Sequence, residues 1–170
     1  MPEYREYVAS KADGQMPSDI FLNRNAAHAA IVVEFIFRKA ERHVRLVTNR
    51  LSADVYGTPE VISAADGFLR RHPDATLEIL AETNIDRAAS PFLAALDGAG
   101  FAARVFLRFI PTTTTRAYKF NFAVADGQHY RFEESRTSRE AIVQFGAPDF
   151  GVRLEGAFAD LSIAAADSIT

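Results

Sequence analysis

Two polar side chains, Lys119 and Asn121, stand among apolar ones in KFNFAVADG, residues 119–127. If this segment is a strand, both lie on one face, with Ala123 and Ala125, while Phe120, Phe122 and Val124 lie on the other. An ammonium and an amide so placed could hold a phosphoryl group, one by charge and one by hydrogen bonding. The segment QHYRFEE follows, with His129, Arg131 and Glu133 alternating in the same way. A histidine and a glutamate are an acid/base set, and an arginine is an anion ligand. Whether these three lie beside Lys119 and Asn121 depends on the turn. A three-residue connection puts Arg131 and Glu133 alongside; a two-residue connection does not. The plainer reading pairs Lys119 with Glu133 or Glu134 across the hairpin. Asp126-Gly127 is first of all a turn signal.

Other candidates lie where strands end. In open α/β sheets, ligands bind beyond the carboxyl ends of the parallel strands. TNRLSADVYG would place Asn49, Arg50 and Asp54 there, and AETN would place Glu82 and Asn84. The threonine run at 112–115 precedes the suspect strand and lacks the glycines of a phosphate-binding loop. His28, His43, His72 and His129 have no metal-ligand spacing. With no cysteine in the chain, disulfides, zinc–thiolate sites and cysteine nucleophiles are excluded. No motif calls for a cofactor.

The elements that must position these residues read clearly. Asn23 or Asn25 caps a helix that runs to about Arg42, with Ala29, Val32, Val33, Ile36 and Phe37 at helical spacing. HVRLVTN is a first strand. Thr58 and Pro59 open a second helix, ATLEILAET is a second strand, and Ser90-Pro91 opens a third helix. FAARVFLRFI is a third strand. A hairpin, the strand AIVQFG and a helix from Pro148 close the chain. Helices alternating with strands, then a hairpin, predict an α/β fold. Its mixed sheet has helices on both faces and is parallel in its first half.

The 170 residues fit one domain, 23–170, preceded by an N-terminal arm, 1–22, either loosely held or docked as an edge element. A net charge of −3 and a pI near 5.8 argue against a broad basic surface for nucleic acid. The opening residues do not read as a signal peptide, and the longest apolar stretch, AAHAAIVVEFIF, is too short and polar to span a bilayer. A soluble, cytoplasmic protein is expected.

The layout and the hairpin together resemble the phospholipase D-like superfamily. Its signature is His-x-Lys, four residues, then Asp, often followed by Gly, on a strand that ends in a hairpin. Anchored at Asp126-Gly127, the histidine position falls on Lys119 and the lysine position on Asn121. The Gly-Ser that often follows falls on Glu133 and Glu134. The resemblance covers most of residues 23–163. It implies a half-barrel or sandwich of α/β type and a site for a phosphodiester.

The departures imply a degenerate, single-motif member. In the family the histidine attacks phosphorus, and lysines bind the phosphoryl oxygens. A lysine at neutral pH is an ammonium with no lone pair to attack with. The resemblance therefore implies a pseudoenzyme that works by binding or assembly, through a phosphate-containing ligand or a protein partner. Lys119, Asn121, Asp126, Arg131, Asn49 and Arg50 are its candidate ligand-binding residues. Single-motif relatives pair across a twofold axis, so a homodimer is expected. Two alternatives stand beside it. One is a divergent phosphodiesterase or nuclease using His129 and Glu133. The other is a nucleic-acid-binding module.

Overall fold

In the computed structural model, residues 2–111, 119–135 and 140–167 are described. The threonine run at 112–115 lies outside them. Helix α1 (Pro2–Asp13) buries Val8 and Ala12 completely, and β1 (Phe21–Asn23) joins the edge of the sheet. Arg5 of α1 forms an ion pair at 2.7 Å with Glu34, a fully buried carboxylate that also pairs with Arg38 at 2.6 Å. Without those two cations a buried charge would be left uncompensated.

Helix α2 (Ala26–Lys39) starts at Asn25, whose Oδ1 accepts from the His28 N–H at 2.8 Å. Helices α3 (Pro59–Arg71) and α4 (Pro91–Gly98) start at Thr58 and Ser90, each followed by proline at the first helical position. These caps satisfy backbone donors that the helix itself cannot. A 3₁₀ turn (Ala102–Arg104) takes up the start of the third predicted strand.

The sheet has the order β1-β7-β6-β5-β2-β3-β4-β8. Here β2 is His43–Thr48, β3 Thr76–Ala81, β4 Val105–Phe109, β5 Asn121–Ala125, β6 His129–Glu133, β7 Ala141–Gln144 and β8 Ala166–Asp167. Strands β2, β3 and β4 run parallel; the other pairings are antiparallel. The two-residue β8 was not legible in the tail. Helices α1 to α4 cover one face, over Val44, Leu46, Leu77, Ile79, Ala123 and Ala125. Helix α5 (Pro148–Ala164) covers the other, where Leu154 and Phe158 pack with Val47, Leu80, Phe122 and Val124. The observed architecture is thus the predicted mixed sheet with helices on both faces.

Two features lock α5 down. Gly151 lies so close to the β5–β6 turn that a Cβ there would stand 2.1 Å from the Gly127 carbonyl oxygen. Glu155 meets His43 Nε2 at 2.7 Å and also pairs with Arg45, which reaches Glu78 at 3.1 Å. Burial pushes the Glu155 carboxyl up, but hydrogen bonds from His43 and Arg45 outweigh it and hold its pKa below the ordinary value.

Candidate ligand-binding cleft

The connections after β2 and β3 lead away to one side of β2, while β5 lies on its other side. This is the switch point at which open α/β sheets leave a crevice. A cavity of about 320 Å³ lies there. It is lined by Thr48 at the end of β2, Asn49, Arg50 and Ser52 after it, Thr83 after β3, Asn121 and Phe122 of β5, and Arg131 and Glu133 of β6. Ala26 and Ala29 of α2, with Val55 and Tyr56 of the loop before α3, complete the wall.

The hairpin explains how β6 reaches it. Ala125 pairs with His129, so the connection is the three residues 126–128. Asn121 is therefore paired with Glu133, and Ala123 with Arg131, on one face. Asp126 and Gly127 adopt the left-handed backbone, with φ of 55° and 68°, which suits the Asp-Gly pair. Small alanines at 123 and 125 leave room for the long polar side chains beside them.

The floor of the cleft is a buried ion pair. Arg131 Nη1 donates to Glu133 Oε2 at 3.0 Å, with about one-tenth of each side chain exposed. Arg131 Nε donates to Asn23 Oδ1 at 2.7 Å, and Asn23 is fully buried. At the rim, the Asn49 N–H donates to Asn121 Oδ1 at 3.1 Å, and Thr83 Oγ1 donates to Asn49 Oδ1 at 3.0 Å. Tyr56 is buried, and desolvation pushes its phenol up to about 12, with Arg131 and Glu133 acting in opposite directions on it. It remains a neutral hydroxyl across the physiological range.

The sequence candidates divide into two groups. Asn49, Arg50, Asn121, Arg131 and Glu133 meet in the cleft. Lys119 is exposed, ahead of the first residue of β5, and is not among the residues that line the cavity. Glu133 pairs with Arg131, which corrects the Glu133 half of the cross-strand reading. Asp126 and His129 sit at the opposite end of the hairpin. The Asp126 carboxylate accepts the backbone N–H groups of Glu41, Arg42 and His43 at 2.8, 2.9 and 3.0 Å. That places it with the turn and the start of β2, not with the cleft. His129 Nδ1 accepts from the Gly146 N–H at 3.1 Å, and burial depresses its pKa. Four residue steps of strand separate it from Glu133, about 13 Å, so the two do not form an acid/base pair.

Sequence reading missed Asn23, Thr48, Ser52, Tyr56 and Thr83 as parts of this site. In the sequence Asn23 reads only as a helix-cap candidate, and its bond to Arg131 spans 108 residues. Position after a strand end was the one signal that could have added Ser52 and Thr83. Among the described residues no group of histidines and carboxylates could hold a metal ion, and no helix is long and apolar enough to cross a membrane.

Comparison with known proteins agrees with this layout. The structure matches Nuc from Salmonella typhimurium, a phospholipase D family member, with a TM-score of 0.60 and 13% identity over 89% of this chain and 99% of that one. NucT from Helicobacter pylori gives 0.62 and 8% over 88% and 98%. TrmBL2, an archaeal chromatin protein described as showing a novel mode of DNA binding, gives 0.63 and 14% over 99% of this chain and 60% of that one. At such identities the likeness concerns the fold, and the fold is phospholipase D-like. No curated protein sequence matches the chain. Residues 24–161 match a family model described as a domain of unknown function, DUF7931, and over that segment, from the cap of α2 into α5, the chain belongs to this family.

Proposed function

We propose that this domain is a non-catalytic binding module on a phospholipase D-like fold, and that the cleft at the switch point holds a small polar ligand. The observation that carries the reading is where the histidines lie. His28 stacks on Tyr4, His43 meets Glu155, His72 ends α3 and His129 accepts from Gly146. None lines the cleft, and the chain has no cysteine. The cleft therefore offers amides, hydroxyls, the Glu133 carboxylate and the guanidinium groups of Arg50 and Arg131, which suit binding, but neither histidine nor cysteine as a nucleophile. The test is hydrolysis of bis(p-nitrophenyl) phosphate and of single-stranded DNA at high enzyme concentration. Release at the level of the buffer blank is expected. Turnover that co-purifies with the protein and disappears in Asn121→Ala would overturn the reading.

Pairing into a homodimer with the cleft faces near each other belongs to the same proposal. Light scattering should then give twice the chain mass of 18.7 kDa.

A second reading, DNA binding, is favoured by the likeness to TrmBL2. The net charge of −3 opposes it. Binding to duplex DNA that weakens steeply with salt would support it, and no binding at low salt would remove it.

A further inference from the structure

We infer that the cleft selects a neutral, hydroxyl-rich ligand, a single sugar ring or cyclic polyol, and that Glu133 is the residue that turns phosphate away. This rests on the proposal that the cleft binds a small ligand, and it narrows the class.

Three observations carry it. First, the buried cation of the cleft is already neutralised, because Arg131 holds Glu133 at 3.0 Å with both side chains about nine-tenths buried, and the other lining cation, Arg50, is exposed to solvent at the mouth. A phosphate at neutral pH would meet a carboxylate there, and two like charges in a poorly solvated site repel. Second, a carboxylate is an acceptor only. It needs an O–H or N–H from the ligand; inorganic phosphate at neutral pH has only one or two such groups and carries them on an anion, whereas a neutral sugar ring has several. Sugar hydroxyls donate and accept at once. They could give a hydrogen bond to Glu133 and take one from Asn121, whose Oδ1 is held by the Asn49 N–H, so that its NH₂ is the group to offer. Ser52 adds a hydroxyl that can do either, and Thr83, whose hydroxyl hydrogen goes to Asn49, adds an acceptor. Third, about 320 Å³ is at the small end of ligand sites, which run from about 300 to 1,000 Å³. That is room for one ring rather than for a polymer.

The experiment is calorimetric titration of the intact chain with a panel of neutral aldoses, ketoses and cyclitols, and separately with inorganic phosphate. The inference expects at least one neutral compound to bind and phosphate to bind at least about tenfold more weakly, a difference of about 1.4 kcal/mol. Phosphate binding as tightly as any neutral compound would overturn the inference and leave the cleft reading standing. Silence from the whole panel and from phosphate would overturn both. Glu133→Gln keeps the shape and the bond to Arg131 while removing the charge. It should tighten phosphate about tenfold and loosen the neutral ligand. Unchanged phosphate affinity in a folded Glu133→Gln protein would remove Glu133 as the selector. If that variant does not fold, the wild-type comparison still decides the ligand class.

Discussion

Arg131 and Glu133, two residues apart on β6, form an ion pair that is almost entirely out of water, with Asn23 of the distant strand β1 closing it from the other side. Such a pair is costly to break and need not be stabilising to have. Arg131→Met alone leaves a buried carboxylate unpaired and should lower stability by about 3–5 kcal/mol. Arg131→Met combined with Glu133→Leu should regain at least half of that. Urea unfolding of the single and double variants measures both. Equal losses would show that shape, not charge pairing, dominates the site.

Asp126 is a backbone clamp. Its carboxylate takes three main-chain donors at the start of β2, and its φ of 55° suits aspartate and asparagine. Asp126→Ala should cost about 2–4 kcal/mol, because those donors lose their partner and alanine resists the left-handed backbone. Asp126→Asn should cost less. Thermal unfolding of the two variants gives the ranking; an alanine variant as stable as wild type would refute the clamp.

Two glycines on α5 should respond in opposite directions. At Gly151 a Cβ would meet the Gly127 carbonyl oxygen at 2.1 Å, whereas at Gly156 it would meet nothing within 4 Å. Gly151→Ala must push α5 off the hairpin and should destabilise by about 2 kcal/mol or more. Gly156→Ala should stabilise by about 0.5–1 kcal/mol through helix propensity. Melting curves for both test how closely the helix and the turn approach.

His129 predicts an acid sensitivity. Burial is the main cause that lowers its pKa from 6.5, so the folded state favours the neutral ring. Its contribution to stability is present above 6.5 and is lost as pH falls through the lowered folded value. Asn in its place keeps an oxygen for the Gly146 N–H and cannot titrate. Between about pH 7.5 and pH 5.5, His129→Asn should lose less stability than wild type. Parallel pH profiles would contradict this. Glu155, also lowered, adds a second loss of stability as pH falls below 4.5.

What the sequence made legible follows local rules. Asn25, Thr58 and Ser90 announce helix starts through their own side chains, and the alternation in 119–133 places residues on faces. Asn49 and Arg50 were found because a strand end is a sequence-local position. What was not legible depends on contacts across the chain. The three-residue strand β1 is too short to show a period, so nothing announced Asn23 as Arg131's partner. Asp126 looked like a site residue because the family signature includes it, yet its partners are the N–H groups of 41–43, more than 80 residues away. Whether Arg131 faced Asn121's side of the sheet turned on one residue of hairpin length, which composition does not fix.

The central claim is that the cleft around Arg131 and Glu133 is where this domain binds its ligand. Its most direct test is an amide chemical-shift map of the ¹⁵N-labelled chain, titrated with the neutral panel and with phosphate. The account predicts saturable shifts concentrated at Asn49, Ser52, Thr83, Asn121, Arg131 and Glu133, with Asp126 and His129 unmoved. Shifts clustered away from those residues, or none at all, would contradict it.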